Sequence, residues 1–116
     1  MEEHHYISSS ILDIRQIHEI LLHKRKLSLS EEARANIRRA RKYLDRKMKE
    51  QSDPIYGINT GFGSLCNVRI PAEDLTNLQE NLVMSHACGT GEKIDKPIIR
   101  LMLLLKIQSL SYGNSG

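Results

Sequence analysis

The 116 residues contain no tryptophan and a single phenylalanine, Phe62. An aromatic core is therefore excluded, and the interior has to be aliphatic. Cysteine is scarce as well. Cys66 and Cys88 lack CxxC spacing and a surrounding His/Cys set, which argues against a metal site and for free thiols in a reducing compartment, the cytoplasm. No long hydrophobic run occurs. The greasiest stretch, "IIRLMLLLKI", carries Arg100 and Lys106 and is too short to span a bilayer, so no membrane partner is expected. The opening "MEEHHYISSS" is acidic and polar and does not read as a secretory leader. Charge of one sign is also missing, since 17 Lys and Arg face 14 Asp and Glu, a formal net charge of +3. The basic run Arg38, Arg39, Arg41, Lys42, Arg46, Lys47 and Lys49 is interrupted by Asp45 and Glu50 and spreads round a helix. A solvated face is the expectation, and no nucleic-acid partner, because no finger, basic zipper or aromatic-rich sheet accompanies the charge.

What is present is helical patterning. "SSSILDIRQIHEILLHKRK" reads as a first helix, capped by Ser9 or Ser10, with Asp13 adding negative charge near its positive end and Ile14, Ile17 and Leu21 as its apolar stripe. His18 and His23 read as ordinary, partly exposed histidines. "LSLS" breaks the pattern. Ser30 then caps a second helix over Glu31–Glu50, whose inward line is Ala33, Ile37, Ala40, Leu44 and Met48 and which Pro54 cannot continue. A third helix opens at "RIPAEDL", with Pro71 near its first turn and Glu73 and Asp74 just inside, sets Leu75, Leu78 and Leu82 on one side with Ser85 or His86, and stops near Gly89 and Gly91. A fourth is capped by Asp95 and takes Pro97 in its first turn. Its run from Ile98 to Ile107 leaves almost no polar face, which demands neighbours on most sides.

Two stretches depart from this pattern. "DPIYGINTGFGSL" places Gly57, Gly61 and Gly63 where each would permit backbone angles closed to other residues. It lacks the strand–GxGxxG–helix context and the GK[ST] of phosphate loops, so a nucleotide is not its ligand. Between the glycines stand Tyr56, Asn59 and Thr60. A phenol ordinarily titrates near pH ~10, so base duty would need neighbouring donors or cations; an ordinary packed tyrosine is the plain alternative. "MSHACGTG" ends an apolar helix face on His86, which reads either as a satisfied cap or as a group that binds a substrate carboxylate or ring nitrogen. Paired carboxylates, a nucleophile triad and a metal cluster are all missing beside them.

"YGINTGFGSL", "NLQENLVMSHACGTG" and "RLMLLLKIQSLSYGNSG" resemble the N-terminal part of the aromatic amino acid lyase family, from about Ile11 to Gly116. The resemblance implies an all-α, fumarase/aspartase-like fold, of which residues 1–116 would be the N-terminal helical domain, with an inner glycine-rich loop over 54–66. It implies homotetramers with active sites built from several subunits, and an electrophilic 4-methylidene-imidazol-5-one formed from an internal Ala-Ser-Gly. By motif, Tyr56 matches the catalytic base. Gly57, Thr60, Gly61 and Phe62 match the mobile inner loop, and Asn59 and Gly63 its substrate-binding positions. Ser85-His86 matches the pair marking the branch that converts L-histidine to urocanate and ammonia, with His86 binding the substrate side chain rather than a metal. No Ala-Ser-Gly occurs in these 116 residues. The expectation is thus an N-terminal fragment, inactive alone, of a larger carbon–nitrogen lyase whose catalytic remainder is missing. The rival readings are a tyrosine or phenylalanine ammonia-lyase or aminomutase of the same family, and a non-enzymatic helical interaction module.

Overall fold

The computed structural model describes residues 3–114. Ser115 and Gly116, the end of the third matching motif, lie outside the described residues. Helices dominate: α1 (Ile14–Leu22), α2 (Glu31–Glu50), α3 (Leu75–His86) and α4 (Lys96–Ser111). The all-α expectation holds for the architecture. One addition was not expected. Strands β1 (His4–Ile7) and β2 (Lys26–Leu29) pair in parallel, in register from His4 opposite Lys26 to Ile7 opposite Leu29. Parallel neighbours need a crossover, and α1 supplies it. The chain forms two compact units. The first takes the residues up to Lys47 and those from Lys93 onward, and the second runs over Met48–Glu92.

In the first unit, Ile7, Ile20 and Leu104 form the buried aliphatic cluster, with Leu12, Ile17, Leu21 and Leu29 packed round it. The core is aliphatic, as the composition requires. The stripe of α1 is rotated from the expected one: Ile20 is buried, whereas Ile14 is 85% exposed. The start of α1 differs too. Asp13, not Ser9 or Ser10, is the N-cap; its carboxylate accepts from Gln16 N at 2.8 Å while Gln16 Oε1 accepts from Asp13 N at 3.0 Å. This reciprocal pair satisfies two backbone donors that the helix itself cannot. The serines precede an extended segment instead, and Ser9 donates to Glu32.

The exit from α1 is sharp. Arg25 N reaches Ile20 O at 3.1 Å and Lys24 N reaches Leu21 O at 3.3 Å, with Lys24 in the left-handed region at φ 49°. This is a Schellman closure, a position where glycine is ordinarily found. A lysine there carries backbone strain of about 1 kcal/mol. Lys24→Gly is accordingly expected to raise stability by about 0.5–1 kcal/mol in urea denaturation; a destabilised variant would refute the strain.

Helix α2 begins as expected, with Ser30 Oγ accepting from Ala33 N at 3.1 Å and Ala33 fully buried. In α4, Leu104, Gln108 and Ser111 face inward. Gln108 Nε2 donates to Ser8 O at 2.9 Å, Ser10 O at 3.3 Å and Tyr112 Oη at 3.0 Å, tying α4 to the segment after β1. Much of the rest of α4 is open: Ile98, Met102, Leu103 and Leu110 are 45–57% exposed.

His5, on β1, buries its Nε2 without a hydrogen-bond partner. Burial first, and the Arg25 guanidinium second, hold its pKa below the ordinary 6.5. The unfolded chain therefore binds the proton more readily, and folding stability must fall as pH drops below the ordinary histidine value and through the folded one. His5→Gln is expected to flatten that part of the stability–pH curve. An unchanged slope would assign it to other groups.

Candidate functional site

The second unit holds both unusual stretches. After α2, Ile55 starts a tight reversal in which Ile58 N and Asn59 N bond Ile55 O at 3.0 and 3.2 Å. The Asn59 side chain completes the reversal: Oδ1 accepts from Ile55 N at 2.6 Å and Nδ2 donates to Asp53 O at 3.3 Å. Thr60 is fully buried; its hydroxyl donates to Gly61 O at 2.9 Å and receives Gly57 N at 3.4 Å. The return strand is pinned by an antiparallel bridge between Thr60 and Arg69, with Gly61 N to Val68 O at 3.0 Å and Ile70 N to Asn59 O at 2.8 Å. The loop is thus bonded to itself through backbone and side chains despite its glycines.

The glycines act differently from one another. Gly57 and Gly63 have left-handed φ values of 75° and 58°, as expected. Gly61 does not. There a Cβ would stand 2.7 Å from Leu65 Cβ, so close approach to the Gly63–Leu65 3₁₀ turn is what requires glycine. A Cβ on Gly63 would meet nothing within 4 Å, so open space adjoins that backbone.

Asn59 and Thr60 turn inward and build the loop. Tyr56 turns outward. It is 64% exposed, and its ring meets Phe62 edge-on at 6.0 Å between centroids and 71° between planes. Among the described residues its hydroxyl has no hydrogen-bond partner.

Helix α3 packs Leu75, Leu78 and Leu82 half-buried, as their spacing implies. A 3₁₀ turn over Ala72–Asp74 precedes it, so Glu73 and Asp74 lie just before the helix and not inside it. Gln79 on α3 donates from Nε2 to Gly57 O at 3.3 Å, which links this helix to the glycine loop. Nothing in the sequence marked Gln79, since a lone glutamine on a helix carries no local signal. His86 is the last residue of α3 and is exposed. Its Nδ1 lies 2.9 Å from Leu82 O and 3.0 Å from Ser85 Oγ, and Ser85 Oγ donates to the same Leu82 O at 2.9 Å. Beyond it, Gly91 is left-handed at φ 84°.

Cys66 and Cys88 are free thiols. Among the described residues no three His, Cys, Asp or Glu side chains gather as a metal site, and no helix is long and apolar enough to cross a membrane. The arrangement presents one phenol on a self-bonded loop and one imidazole at a helix end, in one unit, with an open backbone at Gly63. The tripeptide from which a methylidene-imidazolone forms does not occur in the 116 residues, so they do not themselves fit that group.

The sequence profile described as "Aromatic amino acid lyase" matches residues 12–116. Histidine ammonia-lyase of Idiomarina loihiensis is 45% identical over 113 residues, covering 97% of this chain and 22% of that protein. Among solved structures, histidine ammonia-lyase from Trypanosoma cruzi superposes with a TM-score of 0.78 at 32% identity, over 95% of this chain and 21% of that one. Pantoea agglomerans phenylalanine aminomutase gives a TM-score of 0.85 at 28% identity, over 97% of this chain and 21% of that one. The chain spans about a fifth of the length of the curated relatives it matches.

Proposed function

The chain belongs to the aromatic amino acid lyase family, and from that premise we propose that it forms one wall of a histidine ammonia-lyase site, in a larger protein that releases ammonia from L-histidine to leave urocanate. The observation that carries this reading is the exposed imidazole of His86, held by Ser85 and Leu82 in the unit that also presents Tyr56. Identity of 45% to a protein named histidine ammonia-lyase supports it.

In this reading Tyr56 takes the substrate β-proton from its exposed place on the loop, and the donors or cations that base duty requires come from parts of the whole protein outside these 116 residues. His86 contacts the substrate ring. Gly63 lets substrate approach the backbone closely. Asn59 mainly sets the loop's shape, because a contact of its amide with substrate competes with Ile55 and Asp53. The electrophilic methylidene-imidazolone would supply activation of the substrate amine, and the residues that form it have to lie outside these 116. We propose that the activity belongs to a cytoplasmic homotetramer of the whole protein, as the family resemblance implies, and expect none from the 116-residue chain by itself.

The test is to incubate the whole protein with L-histidine, L-tyrosine and L-phenylalanine separately and to quantify ammonia and unsaturated acid. Urocanate from histidine alone supports the proposal; a cinnamate product, or no product, overturns it. The likeness to a phenylalanine aminomutase favours a second reading within the family. A β-amino acid found by chromatography of the same incubations, without net ammonia, would select it. His86→Leu removes one ring contact of about 1.5 kcal/mol. It is expected to raise KM for histidine about tenfold with kcat little changed, the signature of lost substrate binding. An unaltered KM would remove His86 from recognition.

A further inference from the structure

The end of α3 brings two polar side chains onto one carbonyl. Leu82 is three residues before Ser85 and four before His86, so both side chains fold back onto the same turn. A carbonyl oxygen only accepts. Ser85 Oγ lies 2.9 Å from Leu82 O and commits its single hydrogen there. Toward His86 Nδ1, 3.0 Å away, Ser85 then offers a lone pair. The other neighbour of Nδ1 is Leu82 O itself, at 2.9 Å. Both groups facing Nδ1 are acceptors. A bare Nδ1 would set its lone pair against two others at hydrogen-bonding distance.

We infer that Leu82 O and Ser85 Oγ fix neutral His86 as the Nδ1–H tautomer, leaving Nε2 as a bare acceptor for a ligand ring N–H, with Ser85 as a positioning residue for that recognition. A neutral imidazole carries one proton on its two nitrogens, so the choice at Nδ1 decides Nε2. The consequence is directional. An exposed Nε2 acceptor takes a ring N–H, which L-histidine has and a phenyl ring lacks. A site built around such a bond rejects the analogue that cannot make it, because the acceptor is then desolvated without a partner. A phenol can also donate, so the tautomer separates histidine from phenylalanine more sharply than from tyrosine. The tautomer assignment rests on the helix-end geometry; the ligand assignment rests on the function proposed above.

The experiment has two arms. The 116-residue chain is labelled with ¹⁵N-histidine and its ring nitrogens are read by long-range ¹⁵N–¹H correlation, well above the ordinary histidine pKa of about 6.5. His86→Gln identifies the His86 signals, and circular dichroism checks that each variant keeps its helices. Nδ1–H should predominate in the native sequence. Ser85→Ala should shift the ring toward Nε2–H, and Ser85→Thr, which keeps the hydroxyl, should restore it. Predominance of Nε2–H in the native sequence, or no shift in Ser85→Ala, overturns the inference. In the whole protein, Ser85→Ala should raise KM for L-histidine about threefold with kcat within about twofold, and Ser85→Thr should recover the native KM. A KM unmoved by Ser85→Ala overturns the recognition role. The spectrum does not depend on turnover, so absence of urocanate would sink the proposed function and leave the tautomer standing. Urocanate together with an Nε2–H ring would do the reverse.

Discussion

Tyr56→Phe in the whole protein should lower kcat for L-histidine about a thousandfold and leave the melting temperature unchanged. A positioned general base contributes roughly 10²–10⁴ in rate, and this substitution deletes only the oxygen that would serve as one. The folding side of the prediction follows from the loop. The Tyr56 ring packs edge-on against Phe62 through its carbons, and its hydroxyl has no hydrogen-bond partner among the described residues. The bonds that hold the loop run through Asn59, Thr60 and the Thr60–Arg69 bridge instead, none of which the substitution touches. Steady-state kinetics and a thermal melt on the same preparation decide it. Unchanged kcat would remove Tyr56 from the base role. A lost kcat with a lowered melting temperature would make it a structural tyrosine.

How much of this was legible in the sequence depended on whether the signal was local. Helix α2 could be read from Ser30 and its inward line, because caps and periodicity act within a few residues. The limits of α1 could not. Three serines stand ahead of Asp13, all are competent caps, and the choice fell to the capping box with Gln16. The strands escaped because "HHYI" shows no alternation and "KLSL" is only four residues long, as brief as a loop. Their pairing is decided by burial of Ile7, a contact across the chain.

The site divides in the same way. Glycines announced the loop, and two of the three do take left-handed angles; Gly61 is required by contact with Leu65, which sequence does not display. His86 stood out by position, but the proton on its ring is set by two acceptors whose distances only coordinates provide. Gln79 and Gln108 are the pieces sequence reasoning missed outright. Each is a glutamine whose importance lies in where its amide reaches, to Gly57 O in one case and to Ser8 O and Ser10 O in the other. The assignment of the loop to a lyase came from resemblance, since no spacing rule turns a tyrosine among glycines into a base.

Leu104→Ala is the stability change of largest expected size. Leu104 is 1% exposed and closes the cluster with Ile7 and Ile20, so truncation removes apolar contact and leaves a cavity that surrounding residues refill only partly. Such changes cost about 2–5 kcal/mol, a large part of the roughly 5–15 kcal/mol that holds a typical domain folded. The cost should lie toward the upper end here, because the described residues include only four buried hydrophobic ones, Ile7, Ile20, Ala33 and Leu104, and little else can share the loss. In urea the midpoint of the 116-residue chain should fall by about 2–2.5 M, taking a slope of roughly 2 kcal/mol per molar. The neighbouring residue provides the control. Leu103 is chemically identical and on the same helix but is 56% exposed, so Leu103→Ala should move stability by no more than about 0.5 kcal/mol. Helix propensity changes equally in the two variants and cancels in the comparison. A clear difference between them therefore measures burial alone, and equal shifts at the two positions would mean that Leu104 is not where the core of this unit lies.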